Sequence, residues 1–290
     1  MESSSIRGAA IAASADRAAI PSAIPSAISP ADALGDSDLS RDPIVRGRVS
    51  LWQPRVGYRF SIDPILLASF VGNGPLGTVA DIGAGVGVVG LLLGQADASA
   101  RVTLVELQPR LATLCQRNAA ENGMADRTSV VQGDVRSAGL RKVLAGASFD
   151  VVASCPPYYP LGQGGVNPTD EEAIARHEVH LPLGDLVRAA RRMLRFRGRF
   201  AVVYPTPRLP ELLSVLCAEG LTPTRLRIVH PYAGEPGQRV LVEGCKGSKS
   251  SLVIEPPLYL RTRATPSQGG GGDYTEEARR ILGDLSATDR

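Results

Sequence analysis

Short apolar runs alternate with amphipathic segments through the middle of the chain. The apolar runs are rich in β-branched residues, and the segments between them place apolar residues at helical spacing. The predicted strands span 78–83, 101–107, 129–134, 149–160 and 199–205, and the predicted helices span 87–96, 108–123, 184–194 and 207–220. Because strands that alternate with helices pair in parallel, this pattern predicts an α/β fold with a doubly wound, mostly parallel sheet.

Three later runs have strand character without a helix pattern between them, namely RLRIVH, RVLVEG and SLVIEPPL. Strands joined in this way commonly pair antiparallel, so we expect the sheet to carry an antiparallel edge. The alternation along the chain and this change near its end together predict one large sheet covered by helices on both faces.

The ends of the chain differ from this core in composition. Residues 1–45 are dominated by small, polar and proline residues, and a segment that buries so little apolar surface is expected to be a disordered leader. Residues 46–263 are expected to form the folded α/β domain. A glycine-rich linker and a short C-terminal helix are expected in 264–290.

Composition excludes several classes of protein. The hydrophobic fraction of 43% suits an ordinary globular core, and the net charge of +3 permits a nucleic-acid partner without indicating one. The four cysteines are widely spaced and form no C-x-x-C pair, which argues against a disulfide scaffold or a metal site and favours the cytoplasm. No signal peptide and no apolar run of membrane-spanning length is present, so no membrane association is expected.

A glycine-rich turn follows the first predicted strand of the core. Its glycines are Gly83, Gly85 and Gly87, and they let the backbone approach a ligand closely at the free N–H groups of a helix N-terminus. The run from Gly85 to Gly90 also matches G-x-G-x-x-G, and an acid follows about 20 residues later, as in dinucleotide-binding proteins. The turn alone therefore permits a dinucleotide, another nucleotide-like cofactor, or no ligand.

Acidic side chains end three successive strands near this turn. Asp81 directly precedes the glycines, Glu106 ends the second strand and Asp134 follows the third. The carboxyl ends of parallel strands share one edge of a sheet, where ligands bind. A carboxylate at Asp81 would repel a pyrophosphate but attract a ligand that carries a sulfonium and an ammonium group. The acids therefore favour a methyl donor over a dinucleotide.

The D-x-G-x-G-x-G pattern that begins at Asp81, with its downstream acids, resembles motif I of the class I methyltransferases. That resemblance implies a seven-stranded Rossmann-like methyltransferase sheet and S-adenosyl-L-methionine as the cofactor. It also implies that Gly83, Gly85 and Gly87 bind this cofactor together with Asp81, that Glu106 binds the ribose hydroxyls and that Asp134 binds the adenine amino group.

A Cys155-Pro156-Pro157-Tyr158 segment follows the fourth predicted strand. The prolines remove two backbone donors and leave carbonyl acceptors, and Tyr158 adds a face for stacking, which together suit an sp² amino group as the methyl acceptor. The segment resembles the [DN]-P-P-[YF] motif of the amino-methyltransferases and implies catalytic roles for these four residues. It departs from that motif at Cys155, because a thiol is a weak hydrogen-bond acceptor. A proline-stiffened loop without a catalytic role is the simpler interpretation.

More specific segments lie on both sides of the core, among them GYRFSID, ARHE and VLVEGCKG. Together they resemble the bacterial tRNA(Val) adenine-N6 methyltransferase family over residues 46–285. The resemblance implies methyl transfer to N6 of an adenine in tRNA or another structured RNA, and it implies substrate contacts in the GYRFSID segment by Tyr58, Arg59, Phe60 and Asp63. An ordinary amphipathic entry helix is the simpler interpretation of that segment.

Two groups of arginines are candidates for contacts with RNA phosphates. The first group lies before the core, and it consists of Arg41, Arg46, Arg48, Arg55 and Arg59. The second group lies on one helix and the strand after it, and it consists of Arg188, Arg191, Arg192, Arg195, Arg197 and Arg199. A solvated charged face is the favoured interpretation of the second group, whereas the first group lies beside the GYRFSID segment and is the stronger candidate for contacts with RNA.

Two other functions remain open at this point. The first is methylation of a glutamine amide in a protein such as a release factor, because those enzymes share the glycine turn and the Pro-Pro-Tyr motif. The second is cofactor or RNA binding without chemistry, because Cys155 stands where the motif has Asn or Asp. The sequence does not determine an oligomeric state.

Overall fold

The computed structural model describes residues 35–72, 74–144, 146, 148–156, 181–262 and 272–283. These residues contain eleven strands and seven α-helices. The strands are β1 (Leu39–Ile44), β2 (Val49–Pro54), β3 (Thr78–Ile82), β4 (Arg101–Glu106), β5 (Thr128–Gln132), β6 (Phe149–Ser154), β7 (Leu194–Pro205), β8 (Leu221–Tyr232), β9 (Arg239–Lys246), β10 (Val253–Ile254) and β11 (Leu258–Arg261). The helices are α1 (Asp63–Val71), α2 (Val88–Ala96), α3 (Pro109–Glu121), α4 (Ala138–Val143), α5 (Leu183–Met193), α6 (Leu209–Ala218) and α7 (Glu276–Leu282).

One large sheet organises the domain. Its strand order is β10-β8-β9-β7-β6-β3-β4-β5, and β11 also pairs with β8. The pairs among β3, β4, β5, β6 and β7 are parallel, whereas β9 runs antiparallel to both β7 and β8. The predicted doubly wound, mostly parallel sheet with antiparallel pairing near one edge is confirmed. Its seven long strands are extended by the short β10 and β11.

Helices cover both faces of this sheet, and each face has its own apolar core. Buried residues of α1, α2 and α3 pack in one core, together with Leu282 of α7. Buried residues of α4, α5 and α6 pack in the other core, on the opposite face. Along β7, Ala201 and Val203 belong to the first core and Val202 to the second, as the alternation of side chains along a strand requires.

The leader predicted for residues 1–45 is wrong at its C-terminal end. Residues 39–44 form β1, which pairs antiparallel with β2, and the side chains of Leu39 and Ile44 are buried. Their apolar partners come from elements far along the chain, so the local composition did not indicate them. Residues 1–34 lie outside the described residues.

The C-terminal helix belongs to the same folded unit. Helix α7 packs against β11 and α1, and Leu282 is fully buried. The predicted linker in 264–290 falls largely on residues 263–271, outside the described part. Among the described residues, no helix is long and apolar enough to cross a membrane.

Candidate functional site

The glycine turn joins β3 to α2 with three glycines in the left-handed region. The φ values are +71° at Gly83, +59° at Gly85 and +94° at Gly87, so these positions favour residues without a Cβ. A Cβ on Gly85 would collide with the hydroxyl of Tyr58, and a Cβ on Gly87 would press on Leu104 and Leu91. The turn therefore serves two purposes. The missing Cβ of Gly85 leaves room for the Tyr58 hydroxyl, and the missing Cβ of Gly87 lets α2 pack closely onto the sheet.

Glu106 at the end of β4 is anchored to the same turn. Its Oε2 accepts a hydrogen bond from the Gly85 amide at 2.8 Å, and its Oε1 accepts one from the Gln108 amide at 2.9 Å. Burial raises the pKa of this carboxyl, although the backbone hydrogen bonds oppose the shift. A carboxylate has about four acceptor positions, so Glu106 keeps acceptor capacity for the hydroxyls of a ligand.

Asp81 lies beneath the turn rather than in the wall of the cavity. Its Oδ2 accepts a hydrogen bond from the Gly90 amide in the first turn of α2 at 2.9 Å. Its Oδ1 is buried and has no hydrogen-bond partner in the described part of the chain. Burial raises the pKa of this carboxyl to about 7, and the charge of Glu106 adds to the shift. A cationic ligand above the turn would favour the ionised form.

A cavity that is partly open to solvent lies along the carboxyl ends of β3, β4, β5 and β6. Its walls bring together six of the sequence-predicted site residues, namely Tyr58, Gly83, Gly85, Glu106, Asp134 and Cys155. They also include apolar side chains that the sequence analysis did not identify, namely Ile82, Val105, Leu107, Leu111, Val135 and Leu181.

Asp134 borders the cavity and forms an ion pair with Arg136. Arg136 Nη2 lies 2.7 Å from Asp134 Oδ2, its Nε lies 3.0 Å from Oδ1, and its amide donates to Oδ1 at 2.8 Å. The hydrogen bond to Asp134 raises the pKa of Arg136. Arg136 was missed by the sequence analysis, although its position two residues after the acid is a local signal for such a pair.

Tyr58 and Cys155 also border the cavity, and both are uncharged at neutral pH. Burial raises the pKa of the Tyr58 hydroxyl and that of the Cys155 thiol well above their ordinary values, and the neighbouring carboxylates add to both shifts. Because a thiol rather than a thiolate is present, Cys155 is a poor nucleophile. Pro156 is buried beside it, whereas Pro157 and Tyr158 lie outside the described residues.

The other three predicted substrate contacts lie in different parts of the fold. Arg59 donates hydrogen bonds to Ser40 Oγ at 3.0 Å and to Asp42 Oδ2 at 3.1 Å, so its guanidinium lies against the β1–β2 hairpin. Phe60 packs on the core beneath α1. Asp63 begins α1 and accepts a 2.9 Å hydrogen bond from Arg239 Nε.

The charges of Arg239 and Asp63 shift the pKa of the Cys155 thiol in opposite directions. The charge of Asp63 contributes to the raised pKa of the thiol, and the charge of Arg239 opposes it. Asp63 therefore remains at the edge of the candidate site, and Arg239 joins it from β9. No local pattern in the sequence distinguishes Arg239 from other surface arginines.

Two asparagines one helical turn apart hold the β1–β2 hairpin on α3. Asn118 accepts from the Trp52 amide at 2.7 Å and donates to the carbonyls of Trp52 and Val86 at 3.0 and 2.9 Å. Asn122 makes the corresponding pair with the amide and carbonyl of Ser50 at 2.9 and 2.8 Å. Because Val86 lies in the glycine turn, Asn118 ties the hairpin to the turn. No pattern in the sequence indicated either asparagine.

The family model described as a methyltransferase small domain matches residues 63–211, just over half of the chain. The chain belongs to this family. Membership confirms the predicted fold class, the predicted methyltransferase activity and the predicted cofactor, S-adenosyl-L-methionine. The matched span begins at Asp63 and includes the glycine turn, Glu106, Asp134 and Cys155.

Curated relatives extend the match beyond that span. A tRNA1(Val) (adenine(37)-N6)-methyltransferase of Porphyromonas gingivalis is 30% identical over 200 residues, which cover 68% of this chain and 78% of the relative. An enzyme with the same name in Aeromonas hydrophila is 30% identical over 194 residues, covering 67% of this chain and 79% of the relative.

Among solved structures, a predicted O-methyltransferase of Agrobacterium tumefaciens superposes with a TM-score of 0.58 at 23% identity, covering 76% of this chain and 94% of that chain. This superposition supports a methyltransferase fold for the present chain.

The cavity fits the cofactor of this family on three observations. Gly83 borders open space, in which a Cβ would meet nothing within 4 Å, Glu106 presents a carboxylate at the wall, and the buried Oδ1 of Asp81 lacks a partner within the described residues. The apolar residues of the wall, such as Leu107 and Leu111, provide a surface for a flat base.

Proposed function

We propose that this methyltransferase transfers a methyl group to N6 of an adenine in tRNA, in the cytoplasm. The observation that carries the proposal is the position of Cys155, which follows β6 directly and borders the same cavity as Gly85, Glu106 and Asp134. The names of the curated relatives support the same substrate.

In this proposal the cofactor lies along the carboxyl ends of β3, β4 and β5. Glu106 accepts hydrogen bonds from the ribose hydroxyls, and Asp134 accepts one from the adenine amino group. Gly83 and Gly85 let the backbone approach the amino-acid end, and Asp81 supplies negative charge below it. S-adenosyl-L-methionine, when bound, supplies an electrophilic methyl group on a sulfonium.

The target amino group is placed by the residues around Cys155. Tyr58 lies across the cavity wall and limits the orientations that a flat base can adopt. The carbonyl of Pro156 is proposed to accept a hydrogen from the target amine, and Pro157 and Tyr158 are proposed to continue the acceptor segment. An accepted hydrogen bond increases the availability of the nitrogen lone pair, and positioning supplies the remaining effect. The displaced proton leaves to solvent.

Among the predicted substrate contacts, Asp63 and Tyr58 are proposed to face the target nucleotide. Phe60 is proposed to support Tyr58 from the core. Arg59 is proposed to act through the hairpin, because its guanidinium is already bound to Asp42 and Ser40.

The test uses purified protein, labelled methyl donor and an unmodified tRNA(Val) transcript. We expect N6-methyladenosine in the digested RNA by mass spectrometry, and loss of the product with Glu106→Ala. Glu121→Ala on the outer face of α3 is the matched control and is expected to retain activity. Label in a Gly-Gly-Gln-containing release factor, with none in RNA, would contradict the proposal.

A second variant addresses the departure at position 155. Cys155→Asn restores the side chain that the amino-methyltransferase motif carries, and we expect it to increase kcat while leaving cofactor affinity unchanged. If the parent protein is inactive and only Cys155→Asn transfers methyl groups, the parent is a binding protein and the proposed activity is refuted.

A further inference from the structure

Strand β7 carries a large bulge immediately after α5. Leu194 lies opposite Phe149 of β6 and Arg199 lies opposite Val151, so residues 195–198 stand against the single residue Asp150. Arg197 within the bulge has a φ of +66°, which is uncommon for a residue with a Cβ. Such bulges redirect side chains out of the plane of a sheet.

The bulge presents an aromatic ring to solvent. The Phe196 side chain is 70% exposed, the highest value among the aromatic residues of the described part. A Cβ on Gly247 would collide with this ring, and a Cβ on Gly198 would lie 2.9 Å from the Phe149 carbonyl. The local backbone therefore depends on small residues at both positions, and the ring is held outward rather than folded inward.

Exposed arginines precede and follow this ring in sequence, and exposed cations continue along α5 and the end of α4. The exposed ones are Arg141 and Lys142 at the end of α4, Arg188, Arg191 and Arg192 on α5, and Arg195 and Arg197 in the bulge. We call these residues and Phe196 the α5 basic face. Asp185 and Glu219 pair with Arg188, and Asp150 pairs with Arg195. Within the described residues, no ion pair is found for Arg191, Arg192 or Arg197.

The cations are close enough to affect one another. Partial burial lowers the pKa of Arg192, and the charges of Arg141 and Arg188 lower it further. The pKa of Lys246 is lowered by burial and by Arg191 in the same way. Arg141, Arg188 and Arg192 of the α5 basic face therefore lie near one another, with Asp185 and Glu219 beside them.

This surface begins beside the candidate site. Leu181 lines the cavity, and α5 starts two residues later at Leu183. With 11 residues, α5 is ~16 Å long. One ligand that enters the cavity can therefore extend along α5 toward Phe196 without leaving the protein surface.

We propose that the α5 basic face binds the phosphate backbone of the RNA whose target adenine enters the cavity, with Phe196 stacking on an unpaired base. This inference rests on the proposed function. Cations distributed along a helix match the regular charges of a nucleic-acid backbone. Attachment to a membrane surface would need a broader apolar face than a single exposed ring provides.

The test compares three variants on two RNA substrates. The variants are the double charge reversal Arg191→Glu/Arg192→Glu, Phe196→Ala, and the control Arg101→Glu at the exposed start of β4. The substrates are the unmodified tRNA(Val) transcript and a single-stranded oligonucleotide with only its anticodon-loop sequence. Melting temperature and cofactor affinity are measured for every variant to establish that the fold and the cofactor site are intact.

We expect the double variant to raise KM for the transcript by about tenfold or more, with kcat within about twofold, because two phosphate contacts are lost. The slope of log affinity against log salt should fall by about two. Phe196→Ala should weaken binding without changing that slope, since it carries no charge. KM for the short oligonucleotide and all values for Arg101→Glu should stay at the parent level.

Unchanged KM for the transcript in both variants would overturn the inference, as would an equal rise for both substrates. Loss of binding only to vesicles that contain phosphatidylglycerol, with RNA binding intact, would assign the face to a membrane and also overturn it. If the parent methylates no RNA, the proposed function fails separately, and filter retention of the transcript by the parent and the variants still tests the surface.

Discussion

The carboxylate of Asp63 accepts a hydrogen bond from Nε of Arg239 at 2.9 Å, across 176 residues of sequence. Only 7% of the Asp63 side chain and 24% of the Arg239 side chain are exposed. This ion pair links the first residue of α1 to the first residue of β9 at the edge of the candidate site. It therefore connects the segment before the core to the antiparallel part of the sheet.

Loss of the arginine from this pair should be strongly destabilising. Arg239→Met leaves the Asp63 carboxylate buried without its cation, and breaking a buried pair in this way costs about 3–5 kcal/mol. Urea unfolding measures the loss. Asp63→Asn/Arg239→Met should recover part of it, because the double variant leaves no unpaired charge.

The control for this prediction is the exposed pair of Arg59 and Asp42, whose side chains are 45% and 34% exposed. Arg59→Met should cost at most about 1 kcal/mol, since exposed ion pairs contribute little. Equal losses for Arg239→Met and Arg59→Met would show that burial does not control the contribution of the first pair.

Asp81 should make stability depend on pH. Its pKa is raised by burial from 3.8 to about 7. Between these values the unfolded chain has lost the proton and the folded chain keeps it, so the free energy of unfolding decreases as pH rises through this window. The effect is on the order of 1.4 kcal/mol per unit of pKa difference.

Asp81→Asn should reduce this slope, as measured by urea unfolding between about pH 4 and pH 7. These limits are the pKa values of Asp81 in the unfolded and the folded chain. Some dependence should remain, because burial also raises the pKa of Glu106. Cofactor affinity should rise with pH over the same window, since a cationic ligand favours the ionised carboxylate. An identical slope in the variant and the parent would exclude Asp81 as its source.

Gly85→Ala should impair cofactor binding more than folding. The residue has a φ of +59°, and its new methyl group would collide with the Tyr58 hydroxyl at the wall of the cavity. We expect cofactor affinity to fall by about tenfold or more, as a lost contact of roughly 1.4 kcal/mol implies. Isothermal titration calorimetry provides the measurement.

Gly123→Ala is the matched control for the backbone conformation. Its φ is +66°, and a Cβ there meets nothing within 4 Å. It should cost about 1 kcal/mol of stability through strain alone and leave cofactor affinity unchanged. If both variants lose affinity equally, the contact between Gly85 and Tyr58 has no specific role.

Asn118→Leu should weaken the attachment of the β1–β2 hairpin. The change leaves the Trp52 amide and the carbonyls of Trp52 and Val86 without their partner in a buried position, at about 1–3 kcal/mol for each unsatisfied group. Asn122→Leu is the control, because it lies nearer to solvent and water can replace it. Hydrogen exchange should show faster opening of β2 with Asn118→Leu than with Asn122→Leu.

Local physics explains which parts of the site the sequence predicted. The positive φ values at Gly83, Gly85 and Gly87 are requirements of single residues, so they are visible as a motif. The acids Glu106 and Asp134 end strands whose parallel order follows from the alternation of strands and helices. Their meeting at one edge therefore follows from topology alone.

The contacts that the sequence did not predict join distant segments. Composition made residues 39–44 look like part of a leader, whereas Leu39 and Ile44 are buried in the core that α1, α2 and α3 share. Tyr58 lies at the cavity, Arg59 lies against the hairpin and Asp63 lies against β9. These positions follow from the direction that the chain takes before α1. Neither outcome is encoded by the spacing of those residues.

The strand–turn–helix proposed to hold the cofactor follows from the sequence alone, because short-range sterics and the carboxyl ends of parallel strands leave few alternatives. Three contacts instead required the packed fold: Asp81 accepts from the Gly90 amide beneath the turn, Asn118 ties the hairpin to the same turn, and Arg239 pairs with Asp63. The physical reason is that each of these contacts satisfies a buried polar group with a partner from another element, and such pairings depend on how the elements pack rather than on any local pattern.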